Sequence, residues 1–165
     1  MVKILFLCTG NSARSVMAEA LLNTLGAGRF EAHSAGSMPT GRVNPFTLDL
    51  LASRGHPVER MRSKSWEEFA QPGAPALDVV ITVCDNAASE VCPVWPGRPA
   101  TAHWGFEDPA AFEGPEDAKR GKFEHVYEQI RRRIEALVAL PLETLDTTAV
   151  ASALKSIAER KTGPA

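Results

Sequence analysis

The segment Cys8-Thr9-Gly10-Asn11-Ser12-Ala13-Arg14-Ser15 carries the clearest chemistry in the chain, because five residues separate its cysteine from its arginine. A loop of that length can curl until its backbone N–H groups surround one tetrahedral anion. Arg14 adds a planar fork of donors that can hold two oxyanion oxygens at once. The same positive surroundings favour a Cys8 thiolate beneath the anion, and Ser15 can donate a hydrogen bond to that thiolate.

The position of this segment in the chain strengthens the interpretation. A bare Cys-x5-Arg spacing would also suit a cysteine that packs as a small hydrophobe and an arginine on a helix surface. Here the segment stands between a predicted strand and a predicted helix, whose first N–H groups and positive dipole end attract anions. Gly10 permits close backbone approach or a positive φ. We call residues 8–15 the anion cradle, and its predicted oxyanion-binding residues are Thr9, Gly10, Asn11, Ser12, Ala13 and Arg14.

Three further residues could take part in chemistry at such a cradle. Asp108, which precedes Pro109, can protonate a leaving oxygen as a general acid, and the same pattern is typical of a residue that only starts a turn. Cys84 and Cys92, with seven residues between them, can attack in sequence and form a disulfide. An inert buried pair, or a zinc site completed by His103, are the alternatives, although zinc favours two to four residues between cysteines.

The elements that must position these residues alternate between strands and helices. Apolar runs predict strands at 2–7, 30–34, 77–84 and 100–104, and helical spacing predicts helices over 13–25, after Asn44-Pro45, over 116–140 and after Asp146. Ser65-Trp66-Glu67-Glu68 matches a capping box for a further short helix. This order predicts an α/β domain on a parallel sheet. The run Arg131-Arg132-Arg133, beside glutamates, is interpreted as a solvated helix face.

Composition excludes several classes of protein. The 165 residues and 17.8 kDa predict one domain, and a net charge of −2 gives no basic surface for nucleic acid or an anionic membrane. No apolar run reaches the roughly eighteen residues of a membrane helix, and the N-terminal run is too short for a signal peptide. We therefore expect a cytoplasmic monomer whose three cysteines are reduced.

The cradle together with Val16-Met17-Ala18-Glu19-Ala20 closely resembles the active-site loop of arsenate reductases that share the low-molecular-weight tyrosine phosphatase fold. The segments Val83-Cys84-Asp85-Asn86-Ala87, Cys92-Pro93-Val94-Trp95-Pro96 and His103-Trp104-Gly105-Phe106 before Asp108 also resemble that family. The resemblance implies a four-stranded parallel sheet flanked by helices in a three-layer α/β/α arrangement. It covers residues 1–140, and residues 141–165 form a C-terminal helical extension packed on or trailing the same domain.

The resemblance also implies a reaction. Cys8 attacks arsenate in the cradle while Asp108 helps an oxygen to leave, Cys84 then attacks Cys8 so that arsenite departs, and Cys92 attacks Cys84. An external thiol donor, thioredoxin or glutathione with glutaredoxin, reduces the last disulfide. Thioredoxin-coupled relatives typically have six residues between the last two cysteines, whereas this chain has seven. No tightly bound cofactor is implied, although some relatives hold potassium, for which Asn11, Glu19 and Ser34 match part of the site.

Two other functions remain as alternatives. A low-molecular-weight tyrosine phosphatase would use Cys8, Arg14 and Asp108 in the same way, but in that group the Asp-Pro pair is followed by tyrosine, and here Ala110 follows. A non-catalytic protein that binds an oxyanion, or arsenite through its thiols, would have no need of the complete set of nucleophile, cradle and acid.

Overall fold

A four-stranded parallel sheet forms the centre of the computed structural model, which describes residues 1–84, 95 and 98–159. The strands are β1 (Val2–Cys8), β2 (Phe30–Gly36), β3 (Val79–Thr82) and β4 (Ala100–His103), in the order β2-β1-β3-β4. The α-helices in this part of the chain are α1 (Arg14–Leu25), α2 (Pro45–Ser53), α3 (Glu116–Val138) and α4 (Thr147–Glu159). The predicted α/β class and four-stranded parallel sheet are therefore confirmed.

The central strand β1 is buried on both faces because its apolar residues follow one another without interruption. Ile4 and Phe6 pack in the larger core with buried side chains of all four α-helices. Leu5 and Leu7 point to the opposite face, where they meet a 3₁₀ helix at Trp66–Phe69 and Trp95. Because successive side chains of a strand point to opposite faces of the sheet, this one apolar run packs against the layers on both sides.

Short polar side chains accept hydrogen bonds at the N-termini of helices, at positions predicted from the sequence. The Asn44 side chain accepts a hydrogen bond from the Phe46 N–H at the start of α2, and that of Ser65 accepts one from Glu67. Asp146 accepts from the Ala149 N–H before α4. Each contact satisfies a backbone donor that the first helical turn leaves open. The predicted caps at Asn44 and Asp146 are confirmed. The capping box predicted at Ser65 is wrong, because Ser65 begins a 3₁₀ turn and the Glu68 carboxylate is bonded to Arg62. Strand β3 is shorter than the predicted run 77–84.

The last helix is built into the same core as the rest of the molecule. Val150, Leu154 and Ile157 are buried in the larger cluster, and the Trp104 indole N–H donates to the Leu154 carbonyl at 3.0 Å. No helix of the described residues has the length and apolar character needed to span a membrane.

The prediction of a solvated face over Arg131-Arg132-Arg133 is confirmed for the first two arginines and wrong for Arg133. Arg131 is exposed and bonded to Glu135, as expected of a solvated face, but Arg133 turns inward over the Phe106 ring at 4.5 Å. Two nitrogens of Arg133 are buried without a hydrogen-bond partner, and burial lowers the pKa of its guanidinium. Attraction between the cation and the face of the aromatic ring offsets part of that cost. Arg133 therefore packs beneath the segment that leads to Asp108.

Candidate active site

The anion cradle lies at the carboxyl end of β1, where the chain leaves the centre of the sheet and enters α1. The carbonyls of Thr9, Gly10 and Ser12 each accept hydrogen bonds from flanking segments. The donors are the N–H groups of Met38, Thr40 and Asn44 and the hydroxyls of Ser63 and Thr47. In a trans peptide the carbonyl and the next N–H point in opposite directions. Carbonyls anchored outward therefore leave the following N–H groups directed into the cradle.

The Cys8 sulfur sits within a short chain of hydrogen bonds. Cys8 is free and almost completely buried, and its Sγ lies 2.9 Å from Ser15 Oγ and 3.2 Å from the Asn11 N–H. The Asn11 side-chain amide donates to Ser15 Oγ at 2.8 Å. Because Ser15 accepts from Asn11, its own hydrogen can be given to Cys8. Two donors thus converge on the sulfur and fix its position at the base of the cradle.

Asn11, rather than Gly10, adopts the left-handed backbone conformation of the cradle. The φ of Asn11 is 47°, and asparagine tolerates this region better than most residues. At Gly10 a Cβ atom would come within 3.3 Å of Thr40 Cγ2, a tight contact that glycine avoids. The sequence is compatible with either close approach or a positive φ at Gly10, and it gives no signal for the left-handed backbone of Asn11.

Gly36 is a residue of the site that sequence reasoning missed. It pairs with Cys8 in the parallel register of β1 and β2. A Cβ atom on Gly36 would lie 2.4 Å from the Thr9 carbonyl oxygen and 3.0 Å from the Asn11 nitrogen. Only glycine leaves room for the cradle to turn against the end of β2. A glycine at the end of a predicted strand was the one available signal.

The N-terminus of α1 is open in a way that suits an anion. Ala13 occupies the N-cap position, and among the described residues no side chain caps it. By contrast, α2 begins with the Asn44 cap described above. Uncapped first-turn N–H groups and the positive end of the helix dipole are together an anion-binding feature. The first turn of α1 is therefore left available to a bound oxyanion.

Arg14 is held in place by the loop that carries the predicted acid. One guanidinium nitrogen donates to the Phe106 carbonyl at 3.1 Å, and another lies 3.6 Å from Asp108 Oδ2. The Arg14 side chain keeps 15% of its surface exposed. Arg14 and Asp108, which lie in distant segments of the sequence, thus stand side by side at the cradle.

The turn interpretation of Asp108 is confirmed, and its role as a general acid stays a prediction. Its Oδ1 accepts a hydrogen bond from the Ala110 N–H and begins a 3₁₀ turn at Pro109–Ala111. Its other oxygen faces Arg14, and the side chain is well exposed. The turn fixes the carboxyl group, while exposure allows it to exchange protons with solvent. A general acid at the mouth of the cradle needs both properties.

Cys84 lies close to the cradle, and Cys92 lies outside the described residues. Cys84 follows β3 by two residues, is buried, and its Sγ lies 3.6 Å from Thr9 Oγ1. Thr9 is the residue next to Cys8, so the first two predicted thiols occupy neighbouring positions. In the part of the chain that the structure describes, no group of three histidine, cysteine or acidic side chains could hold a metal ion. The zinc alternative needs Cys92 and is not tested by these residues.

The three residues matched to a potassium site, Asn11, Glu19 and Ser34, take part in two separate hydrogen bonds, one of which involves Lys64. Ser34 Oγ donates to Glu19 Oε1 at 2.6 Å, while Asn11 Oδ1 accepts from the Lys64 backbone N–H at 2.9 Å. The sequence gave no signal for Lys64, because it stands in a polar segment without a motif.

Comparison with known proteins agrees with this geometry. The chain belongs to the low molecular weight phosphotyrosine protein phosphatase family, whose model matches residues 3–151. Within that family it is similar to arsenate reductases. That of Halalkalibacterium halodurans is 36% identical over 132 residues, which are 80% of this chain and 91% of the relative. The resemblance seen in the sequence is confirmed.

Solved structures give the same result. An arsenate reductase from Archaeoglobus fulgidus superposes with a TM-score of 0.65 at 32% identity, over 83% of this chain and 99% of that one. A thioredoxin-dependent arsenate reductase from Corynebacterium glutamicum has a TM-score of 0.58 at 27% identity, over 83% of this chain and 60% of that one.

Proposed function

We propose that this protein reduces arsenate to arsenite by thiol chemistry. The observation that carries the proposal is the position of Cys84, a second buried thiol whose sulfur lies 3.6 Å from the Thr9 hydroxyl beside the nucleophile Cys8. A hydrolytic phosphatase needs a nucleophile, an arginine and an acid, and its chemistry transfers no electrons. The similarity to arsenate reductases supports the same conclusion.

The first step forms a bond between sulfur and arsenic. Arsenate binds to the inward N–H groups of the cradle and to Arg14, which neutralise its charge. The Cys8 thiolate attacks arsenic, and an As–O bond breaks as Asp108 delivers a proton and the oxygen leaves as water. The Ser15 hydroxyl and the Asn11 N–H hold the sulfur in line for attack.

The second step transfers the electrons. The Cys84 thiolate attacks Cys8 Sγ, so that an S–S bond forms and the As–S bond breaks with its electron pair on arsenic, which leaves as arsenite. Cys92 then attacks Cys84, which releases Cys8 and leaves a Cys84–Cys92 disulfide. An external dithiol or glutathione system returns the protein to the reduced state. We propose thioredoxin as that donor in the first instance, with glutaredoxin as the alternative, and a monomer as the working form.

The experiment measures arsenite formed from arsenate by the purified protein, with thioredoxin and its reductase or with glutathione and glutaredoxin. Multiple turnover with one system identifies the donor. Cys8→Ser should abolish arsenate reduction and any hydrolysis of an aryl phosphate alike. Cys84→Ser and Cys92→Ser should stop turnover with arsenate and spare the hydrolysis.

The result that would overturn the proposal is equally specific. Absence of arsenite with both donors, together with phosphate release from an aryl phosphate, would instead assign the protein as a phosphatase. Equal loss of both activities in Cys84→Ser would contradict a separate redox role for that thiol. Binding of arsenate or arsenite without turnover would favour a non-catalytic role.

A further inference from the structure

Phe106 is the buried side chain of the segment that carries Asp108. Residues 105–108 form neither helix nor strand, and the other three members of this segment are exposed. An ion pair of 2.9 Å between Lys122 and Glu107 also ties the segment to α3, but a pair in contact with solvent contributes little to stability. The position of the segment therefore depends chiefly on what lies against the Phe106 ring.

The backbone of Phe106 connects two parts of the site. Its carbonyl accepts a hydrogen bond from the Arg14 guanidinium at 3.1 Å, and its N–H donates to the Val83 carbonyl at 3.2 Å. Val83 precedes Cys84, so Phe106 joins the arginine of the cradle to the segment that carries the second thiol. A shift of Phe106 would therefore move the carbonyl that orients Arg14.

The guanidinium of Arg133 lies over Phe106 although its own donors are poorly satisfied. Its Cζ is 4.5 Å from the ring centroid, and Nε and Nη1 are buried without a hydrogen-bond partner among the described residues. Buried donors without partners destabilise the folded state. Packing alone does not account for arginine here, because an apolar side chain of similar length would cover the ring without unpaired donors. Attraction between the cation and the face of the ring does account for it, since that attraction depends on how the ring is oriented.

We propose that Arg133 is a positioning residue for oxyanion binding: its guanidinium holds the Phe106 ring in place, and the Phe106 carbonyl in turn directs the Arg14 fork towards the cradle. The proposal rests on the proposed function only in taking the cradle as an oxyanion site. Its test measures the binding of inorganic phosphate. Absence of arsenite formation would therefore count against the proposed function and not against this role of Arg133.

The experiment measures how inorganic phosphate protects Cys8 from alkylation by iodoacetamide, followed by mass spectrometry of the Cys8 peptide. The phosphate concentration that halves the alkylation rate gives the dissociation constant. Arg133→Met keeps a long apolar side chain and removes the cation. We expect it to raise that constant about tenfold, within the range of a partly desolvated contact between a cation and an aromatic ring. Arg133→Lys, which keeps a cation, should restore part of the affinity.

Further readouts distinguish this role from a purely structural one. Arg133→Met removes two unpaired buried donors, so its melting temperature should equal or exceed that of the wild type while its phosphate binding is weaker. Its alkylation rate without phosphate should be unchanged, because the donors to the Cys8 sulfur are Ser15 and Asn11. Arg131→Met, at an exposed site on the same helix, is the matched control and should bind phosphate as the wild type does. A lower melting temperature of Arg133→Met with unchanged phosphate binding would overturn the proposal.

A double-mutant cycle shows whether the Phe106 ring transmits the effect. Phe106→Leu keeps the backbone carbonyl and removes the ring, so it should itself weaken phosphate binding about tenfold, and Arg133→Met should then weaken it no further. Equal effects of Arg133→Met with and without the ring would contradict the proposal. If Arg133→Met does not fold, Phe106→Leu decides alone, and phosphate binding at the wild-type level in that variant would refute the role of the ring.

Discussion

At the scale of single residues, the site depends on how Arg14 is oriented as well as on its charge. One arm of its guanidinium is held by the Phe106 carbonyl, and another faces Asp108. The Phe106 ring in turn rests on Arg133. The planar fork is therefore fixed before an oxyanion arrives, so little conformational entropy is lost on binding.

Arg14→Lys tests this orientation because it keeps the charge and removes the fork. A lysine ammonium carries its three donors on one nitrogen, so it cannot reproduce the planar fork whose separate nitrogens reach the Phe106 carbonyl and two oxyanion oxygens. We expect kcat/KM for arsenate, or for an aryl phosphate, to fall about 10²-fold or more, comparable to the loss of one donor from an oxyanion hole. Steady-state kinetics measure the change, and Arg132→Lys on the exposed face of α3 is the control. Unchanged turnover in Arg14→Lys would refute the bidentate role.

At the scale of elements, the cradle is shaped by the end of β2 as much as by its own sequence. The parallel register sets Gly36 beside Cys8, and the Gly36 N–H is bonded to the Lys64 carbonyl. The end of β2 therefore holds the anion cradle and residues 62–65 together. Three segments distant in sequence meet at this point, which is why their contact could not be derived from local patterns.

Gly36→Ala should disturb this junction. Its Cβ atom would lie 2.4 Å from the Thr9 carbonyl oxygen, a backbone atom that cannot move without moving the cradle. We expect the free energy of unfolding to fall by about 1–3 kcal/mol, the usual cost of overpacking, and Cys8 alkylation to slow. Urea denaturation and the alkylation assay measure the two effects.

Gly121→Ala provides the matched control on α3. A Cβ atom there meets nothing within 4 Å, and alanine is favoured over glycine in a helix by about 1 kcal/mol. Gly121→Ala should therefore stabilise the protein and leave the alkylation rate unchanged. A Gly36→Ala variant as stable and reactive as wild type would show that the cradle tolerates displacement.

Local patterns predicted the elements well, and long-range contacts account for what they missed. The cap residues Asn44 and Asp146 lie where the sequence placed them, because a cap depends on neighbours two or three residues away. Gly36 and Lys64 belong to the site through partners far along the chain, and neither stands in a motif. The charge pattern of the helix predicts a solvated Arg133, because it does not reveal the Phe106 ring that lies over the guanidinium.

At the scale of the whole molecule, contacts among the described residues join the C-terminal part to the sheet on two sides. Trp104 and the buried face of α4 form one of them. The other is Arg29, at the start of β2, which bonds the carbonyls of Val138 and Leu140 and makes a two-pronged ion pair with Glu143. The segment after α3 is thereby fastened at the end of the sheet opposite the cradle. We infer that residues 141–159 fold together with the rest of the domain.

The Arg29–Glu143 pair predicts how stability depends on acid. Hydrogen bonds from Arg29 lower the pKa of Glu143 from its ordinary value of 4.5 to about 2. The folded state therefore favours the carboxylate, and this contribution is complete above pH 4.5 and lost as the pH falls towards 2. The pair is exposed, so its contribution is small and screened by salt.

Glu143→Gln should unfold at lower urea than wild type at neutral pH and low salt, and the difference should vanish as the pH approaches 2. Glu113→Gln, at an exposed site before α3, is the control, and its urea midpoint should not approach that of the wild type as the pH falls. A constant difference between Glu143→Gln and the wild type across the acid range would mean that the charge of Glu143 does not fasten the segment.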